Sequence, residues 1–184
     1  MELSTLRSAI ERAFHGLKRD EDCTLHQAQL LDDSMRREIP ENEWLAAKDR
    51  DRETDWRDVP AAYLDECDAA LSHATPASWH FYIPAFMLRA LDLLDVRAVD
   101  NFLPGSVIFH LTYRGDHPGT AAYTLDRFGT LDEAQKQSIT LFMEFIRDSE
   151  AAKPYDALDA AIALQNYWGL DEQERPTGPR IILP

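Results

Sequence analysis

The sequence predicts a mainly α fold: a single compact domain of about six to seven helices, with room for one small β-hairpin. Three observations carry this. Apolar residues recur at spacings of three and four along successive segments, the period that gathers side chains on one helical face. Prolines and capping residues stand where those segments would begin. A chain of 184 residues with 45% hydrophobic content is long and apolar enough to bury a core without disulfides, and it shows no repeat or low-complexity tract that would divide it.

The first helix is expected over residues 3–17, where Leu3, Leu6, Ile10, Ala13, Phe14 and Leu17 share a face. After the charged break Lys18 to Asp22, Thr24 can cap a second helix carrying Leu25, Ala28, Leu31 and Met35 and ending before Pro40. Residues 41–48 read as helical. Asp49 to Asp55 alternates charge without an apolar stripe, so it is expected to be a solvated helix end or loop and the most flexible point of the chain. Pro60 is placed to start a helix, because its missing N–H would be unpaired there anyway, and Tyr63, Leu64, Cys67 and Leu71 form its buried face.

Ala74 to Ser78 reads as a turn. Trp79 to Ile83 is expected to be extended, since the residue before a proline is biased away from the helical region, and Pro84 to restart a helix with Met87, Leu88, Leu91 and Leu94 on one face. Asp100 to Gly105 reads as a break. Val107 to Tyr113 is either a strand, from its β-branched and aromatic residues, or two helical turns capped by Ser106. Glycines and Pro118 suggest a loop from Arg114 to Gly129, and Thr130-Leu131-Asp132-Glu133 reads as a capping box opening a long helix to about Ser149, with Ile139, Phe142, Phe145 and Ile146 inside. Pro154 opens the last helix, with Leu158, Ala161, Ile162, Gln165 and Trp168 along one side and Gly169 as its stop. Residues 1–169 would then be the helical domain and 170–184 an extended, proline-containing C-terminal tail whose Ile181-Ile182-Leu183 can dock on the body or on a partner.

The net charge is −14, and the excess of acids is spread over both halves of the chain. Such a field repels nucleic acid and acidic membrane surfaces and favours encounter with a basic protein; solubility alone would also account for it. Two cysteines without a CxxC pair, no secretory signal and no membrane-length apolar run give the expectation of a cytoplasmic protein.

Motifs for chemistry are sparse. The run Asp49-x-Asp51-x-Glu53-x-Asp55 resembles the start of a calcium loop, but Thr54 stands where the sharp turn needs glycine and Pro60 where a bidentate acid is needed. The six histidines form neither HExxH nor an i, i+4 pair, so no metal and no cofactor is expected. No G-x-S-x-G elbow or phosphate-cradling glycine pattern occurs. Cys23 and His26 are three apart, but a thiolate nucleophile also needs an activating environment. Acid pairs such as Asp32-Asp33 would serve as general acid and base only if they shared a cleft. His80, between Trp79 and Phe81, is either a buried structural histidine or the lining of a groove. Trp44 and Trp56 flank a charged segment, an arrangement suited to an aromatic anchor with an acidic rim.

The motifs Trp56-Arg57-Asp58-Val59-Pro60, Phe81-Tyr82-Ile83-Pro84-Ala85-Phe86-Met87 and Phe128-Gly129-Thr130-Leu131-Asp132-Glu133-Ala134-Gln135, with Ile10 to Phe14, resemble an uncharacterised bacterial family of small acidic proteins. The resemblance reaches to about Ile146 and implies a domain of unknown function, with no catalytic residues to carry over. The functional expectation is therefore a non-enzymatic, acidic protein-interaction domain, of the kind seen in immunity proteins and antitoxins, that binds a basic protein. Its binding residues are expected among Trp56, Asp58, His80, Tyr82, Asp32 and Asp33. The alternatives are an enzyme of unrecognised type with a site near His80 and Tyr82, or a structural subunit of a larger assembly.

Overall fold

The computed structural model describes residues 1–19, 21–35, 37–96 and 101–179. Among them are ten α-helices and no strand: α1 (Leu3–Ala13), α2 (Leu25–Asp33), α3 (Glu41–Lys48), α4 (Ala61–Glu66), α5 (Ala70–His73), α6 (Pro76–Asp95), α7 (Leu103–His110), α8 (Pro118–Phe128), α9 (Glu133–Asp148) and α10 (Pro154–Ala163). A 3-10 turn at Trp56–Asp58 precedes α4, and a π-helical turn at Leu164–Trp168 prolongs α10. The mainly α expectation holds, with more and shorter helices than the six to seven expected. Asp20, Asp100 and the tail segment Ile181-Ile182-Leu183 lie outside the described residues.

The largest departure is α6. Thr75 caps it, its hydroxyl accepting from the Ser78 N–H at 3.1 Å, and the helix runs unbroken from Pro76 through Pro84, where an extended join was expected. An internal proline costs about 3 kcal/mol of helix stability. Trp79, Phe81, Ile83, Phe86 and Met87 are each at most 1% exposed, and full burial of such a side chain is worth roughly 1.5–3 kcal/mol. Their summed burial outweighs the proline. A helix buried nearly all round is a central one, and α6 packs against α1, α4, α5, α7, α8 and the 3-10 turn.

Other boundaries shift for local reasons. α1 ends three residues before Gly16, whose φ of +79° reverses the chain in a region that L side chains rarely adopt. Met35, expected on the buried stripe of α2, is 88% exposed, because α2 has already ended at Asp33. Tyr63 and Leu64 fall on α4 and Leu71 on α5, with Cys67 in the break at residues 67–69. Val107 to Tyr113 is not a strand; α7 covers 103–110, with Pro104 in its first turn and Ser106 inside it.

The expected loop 114–129 holds α8, with Pro118 at its first position and the His117 ring accepting from the Gly119 N–H at 3.0 Å. α9 is capped two residues later than expected: Asp132 accepts from Gln135 N–H at 2.8 Å, and Gln135 Oε1 accepts from Asp132 N–H at 3.0 Å. On α10 the buried side is Asp156, Ala160 and Ala163, continuing into Leu164, Tyr167 and Trp168, so Leu158 and Ile162 face outward.

Aromatic indoles fasten the elements. Trp56 Nε1 donates to the Phe14 carbonyl at 2.8 Å, and Trp168 Nε1 to the Leu111 carbonyl at 2.5 Å. Past α10 the chain is not simply extended: Glu174 and Arg175 N–H both return to the Asp171 carbonyl, and the Tyr113 hydroxyl donates to the Gly178 carbonyl. No helix among the described residues is long and apolar enough to cross a membrane.

Candidate functional site

The residues expected to bind are placed apart. Trp56 is 1% exposed and anchors α1, so its ring is not available as a surface anchor. Asp58 is exposed at the end of the 3-10 turn. His80 and Tyr82 lie two positions apart on α6 and serve different neighbours: His80 Nε2 donates to Gln135 Oε1 of α9 at 2.9 Å, whereas the Tyr82 hydroxyl accepts from the Leu25 N–H of α2 at 3.2 Å. Burial lowers the pKa of His80 against the opposing pull of Gln135 and Asp132, and burial raises that of Tyr82. Asp32 meets His73 Nε2 at 3.1 Å on the surface, and Asp33 accepts from Gln29 of its own helix.

Two regions outside the expected binding residues hold chemically distinctive groups. In the first, Asp51 of the charged run, expected to be solvated, is 3% exposed. It accepts from the His26 backbone N–H at 2.8 Å and from the His26 ring Nδ1 at 2.6 Å. Burial alone would raise its pKa, but the His26 hydrogen bonds outweigh that and hold it below the usual aspartate range. His26 packs edge-on against Tyr63 at 4.7 Å. Cys67, fully buried nearby, has its thiol pushed up to about 12 by burial and by the fields of Asp51 and Glu66. A neutral thiol without solvent access is inert, so this acid-histidine pair fastens the 49–55 segment to α2.

The second region is a groove of about 380 Å³ between α7 and α10, lined by Phe102, Gly105, Ser106, Phe109, Lys153, Tyr155, Asp156 and Asp159. Phe102 is 76%, Phe109 50% and Tyr155 54% exposed, and Leu158 and Ile162 extend the apolar surface along α10. The spacing explains the presentation: 102, the N-cap of α7, and 109 are seven apart on one side of that helix, and 155, 158 and 162 share one face of α10. Lys153 Nζ lies 4.9 Å from the Phe102 ring centroid and 5.8 Å from that of Tyr155, and donates to the Asn101 carbonyl at 2.9 Å. Arg114 stacks on Phe109 at 4.6 Å.

At the floor of this groove Asp156 is 3% exposed, and no described residue gives it a hydrogen bond or an ion pair. Its Oδ1 lies so close to the α7 backbone that a Cβ at Gly105 would stand 3.0 Å from it, and a side chain there would require the carboxylate to give way. The carboxylate sits in the first turn of α10 and against the first turn of α7, where the positive ends of two helix dipoles favour an anion. Burial nevertheless raises its pKa, with Lys153 acting in the opposite direction and Asp159 adding to the rise.

Another concavity, about 220 Å³ beside Trp56, contrasts with it: its cations are each paired, Arg7 with Asp92, Arg57 with Asp55 and Arg89 with Asp65. Among the described residues no cluster of His, Cys, Asp and Glu is arranged to hold a metal ion.

The groove was missed because Leu158 and Ile162 match the helical period as well as a core stripe does. Its available signal was the second, small-residue stripe of α10, Ala160 and Ala163, which pack directly under the neighbouring helices.

No curated protein and no solved structure matches the chain. A family model does, over residues 2–172, nearly the whole of the described fold. The chain belongs to DUF6714, a family of unknown function.

Proposed function

We propose that the protein is an acidic protein-interaction domain that binds a basic protein through the surface formed by α7 and α10, in the manner of an immunity protein or antitoxin. The observation that carries this reading is the grouping of Phe102, Phe109, Tyr155, Leu158 and Ile162, all more than a third exposed, on two adjoining helices. Contiguous exposed apolar and aromatic surface of this kind marks interaction sites rather than solvated faces. The net charge of −14 supplies the second element, steering a cationic partner towards the surface and disfavouring polyanions.

The test is affinity capture of partners from the native host at low and moderate salt, with wild type and a Leu158→Glu, Ile162→Glu double variant run side by side. A basic protein retained by wild type, released by salt and lost in the double variant is expected. Recovery of no basic protein at either salt concentration would remove this reading.

A further inference from the structure

We infer that the α7/α10 groove is a receptor for an arginine side chain of the basic partner, with Asp156 as the acceptor for the guanidinium. This rests on the proposed function and adds to it the residue type that the groove recognises.

A buried carboxylate is ordinarily tied down by hydrogen bonds or a cation, yet Asp156 has neither among the described residues and opens onto the groove. Among the described residues Lys153 is the cation in the lining, and it is turned to the Asn101 carbonyl and the Phe102 and Tyr155 rings rather than to Asp156, while Arg114 stacks outside on Phe109. Its position shows that the rings accept a cation on their faces. With Asp159 beside Asp156, the lining carries two acids against one lysine.

Among cationic side chains arginine fits these features together. Its planar guanidinium stacks on aromatic faces, is more weakly hydrated than an ammonium, and presents a fork of N–H donors to a carboxylate. Tyr155 supplies a wall, Asp156 the acceptor at the floor and Asp159 a charge at the rim.

The experiment is amide chemical-shift titration of the intact chain with N-acetyl-arginine amide, its neutral isostere N-acetyl-citrulline amide as control. Saturable shifts at Gly105 and Ser106 with the arginine compound, and none with citrulline, are expected. Asp156→Asn should weaken arginine binding by about tenfold or more, the scale of losing a charge-assisted hydrogen bond. Tyr155→Ala, at a 54% exposed position, should weaken it with the fold intact by circular dichroism.

Equal shifts with arginine and citrulline, or unchanged arginine affinity in both variants, would overturn the assignment. Failure here is separable from failure of the functional reading: a basic partner captured equally by wild type and Asp156→Asn overturns the arginine site alone.

Discussion

Asp51 and Asp156 are both 3% exposed, one between α2 and the 3-10 turn, the other between α7 and α10. Their chemistry diverges because of what faces them. Asp51 receives two hydrogen bonds from His26, and its pKa falls despite burial. Asp156 receives none from the described residues, and its pKa rises. Burial alone therefore does not identify a functional acid: the carboxylate paired within the fold holds it together, while the one without a protein partner is the acceptor in the proposed arginine site.

The largest effect expected from this contrast is at the satisfied site. Asp51→Ala leaves His26 without its acceptor and should destabilise the protein by about 3–5 kcal/mol, as removing one member of a buried pair does; denaturant unfolding measures it. A loss below about 1 kcal/mol would show that the pair is not the fastening described.

Next is a buried base with no acid beside it. Burial, Arg127 and His73 together lower the pKa of His110 on α7 to about 4, against an ordinary value of 6.5. The unfolded chain then binds the proton more tightly, so stability is complete above pH 6.5 and is lost as pH falls towards about 4. The loss should be on the order of 2–3 kcal/mol, and His110→Gln should flatten that part of the pH profile.

Asp156 has the opposite sign. Its raised pKa means that the folded state binds the proton more tightly, so its contribution falls as pH rises through that pKa. Asp156→Asn should consequently leave stability at neutral pH equal to or above wild type, the reverse of Asp51→Ala. The smallest effect is expected at the groove wall: Tyr155→Ala should change stability by no more than about 0.5 kcal/mol while weakening binding. Comparable losses of stability from Asp156→Asn and Asp51→Ala would dissolve the contrast.

The helical class, α1, α9 and the start of α10 were legible because an apolar period or a start signal marks each of them. Pro84 misled because a local cost of about 3 kcal/mol is small beside the burial of the aromatic residues around it, which no single position announces. Asp51 was unreadable for a related reason: the alternating charges of 49–55 look solvated until α2 brings His26 across.

Leu158 and Ile162 show the converse limit. Period places residues on one face but does not say which face meets the core, and on α10 the small residues Ala160 and Ala163 face inward. Trp56, His80 and Tyr82, expected to bind a partner, are each occupied by an internal hydrogen bond. The exposed aromatic residues lie elsewhere, at Phe102, Phe109 and Tyr155.

The most direct measurement is a carboxyl carbon-13 NMR titration of Asp51 and Asp156, with and without N-acetyl-arginine amide. In the free protein Asp51 should titrate below the ordinary aspartate value and Asp156 above it, and the arginine compound should lower the Asp156 pKa while leaving Asp51 unmoved. Two carboxyls titrating alike, or an Asp156 indifferent to arginine, would contradict the division between a satisfied acid and a receptive one.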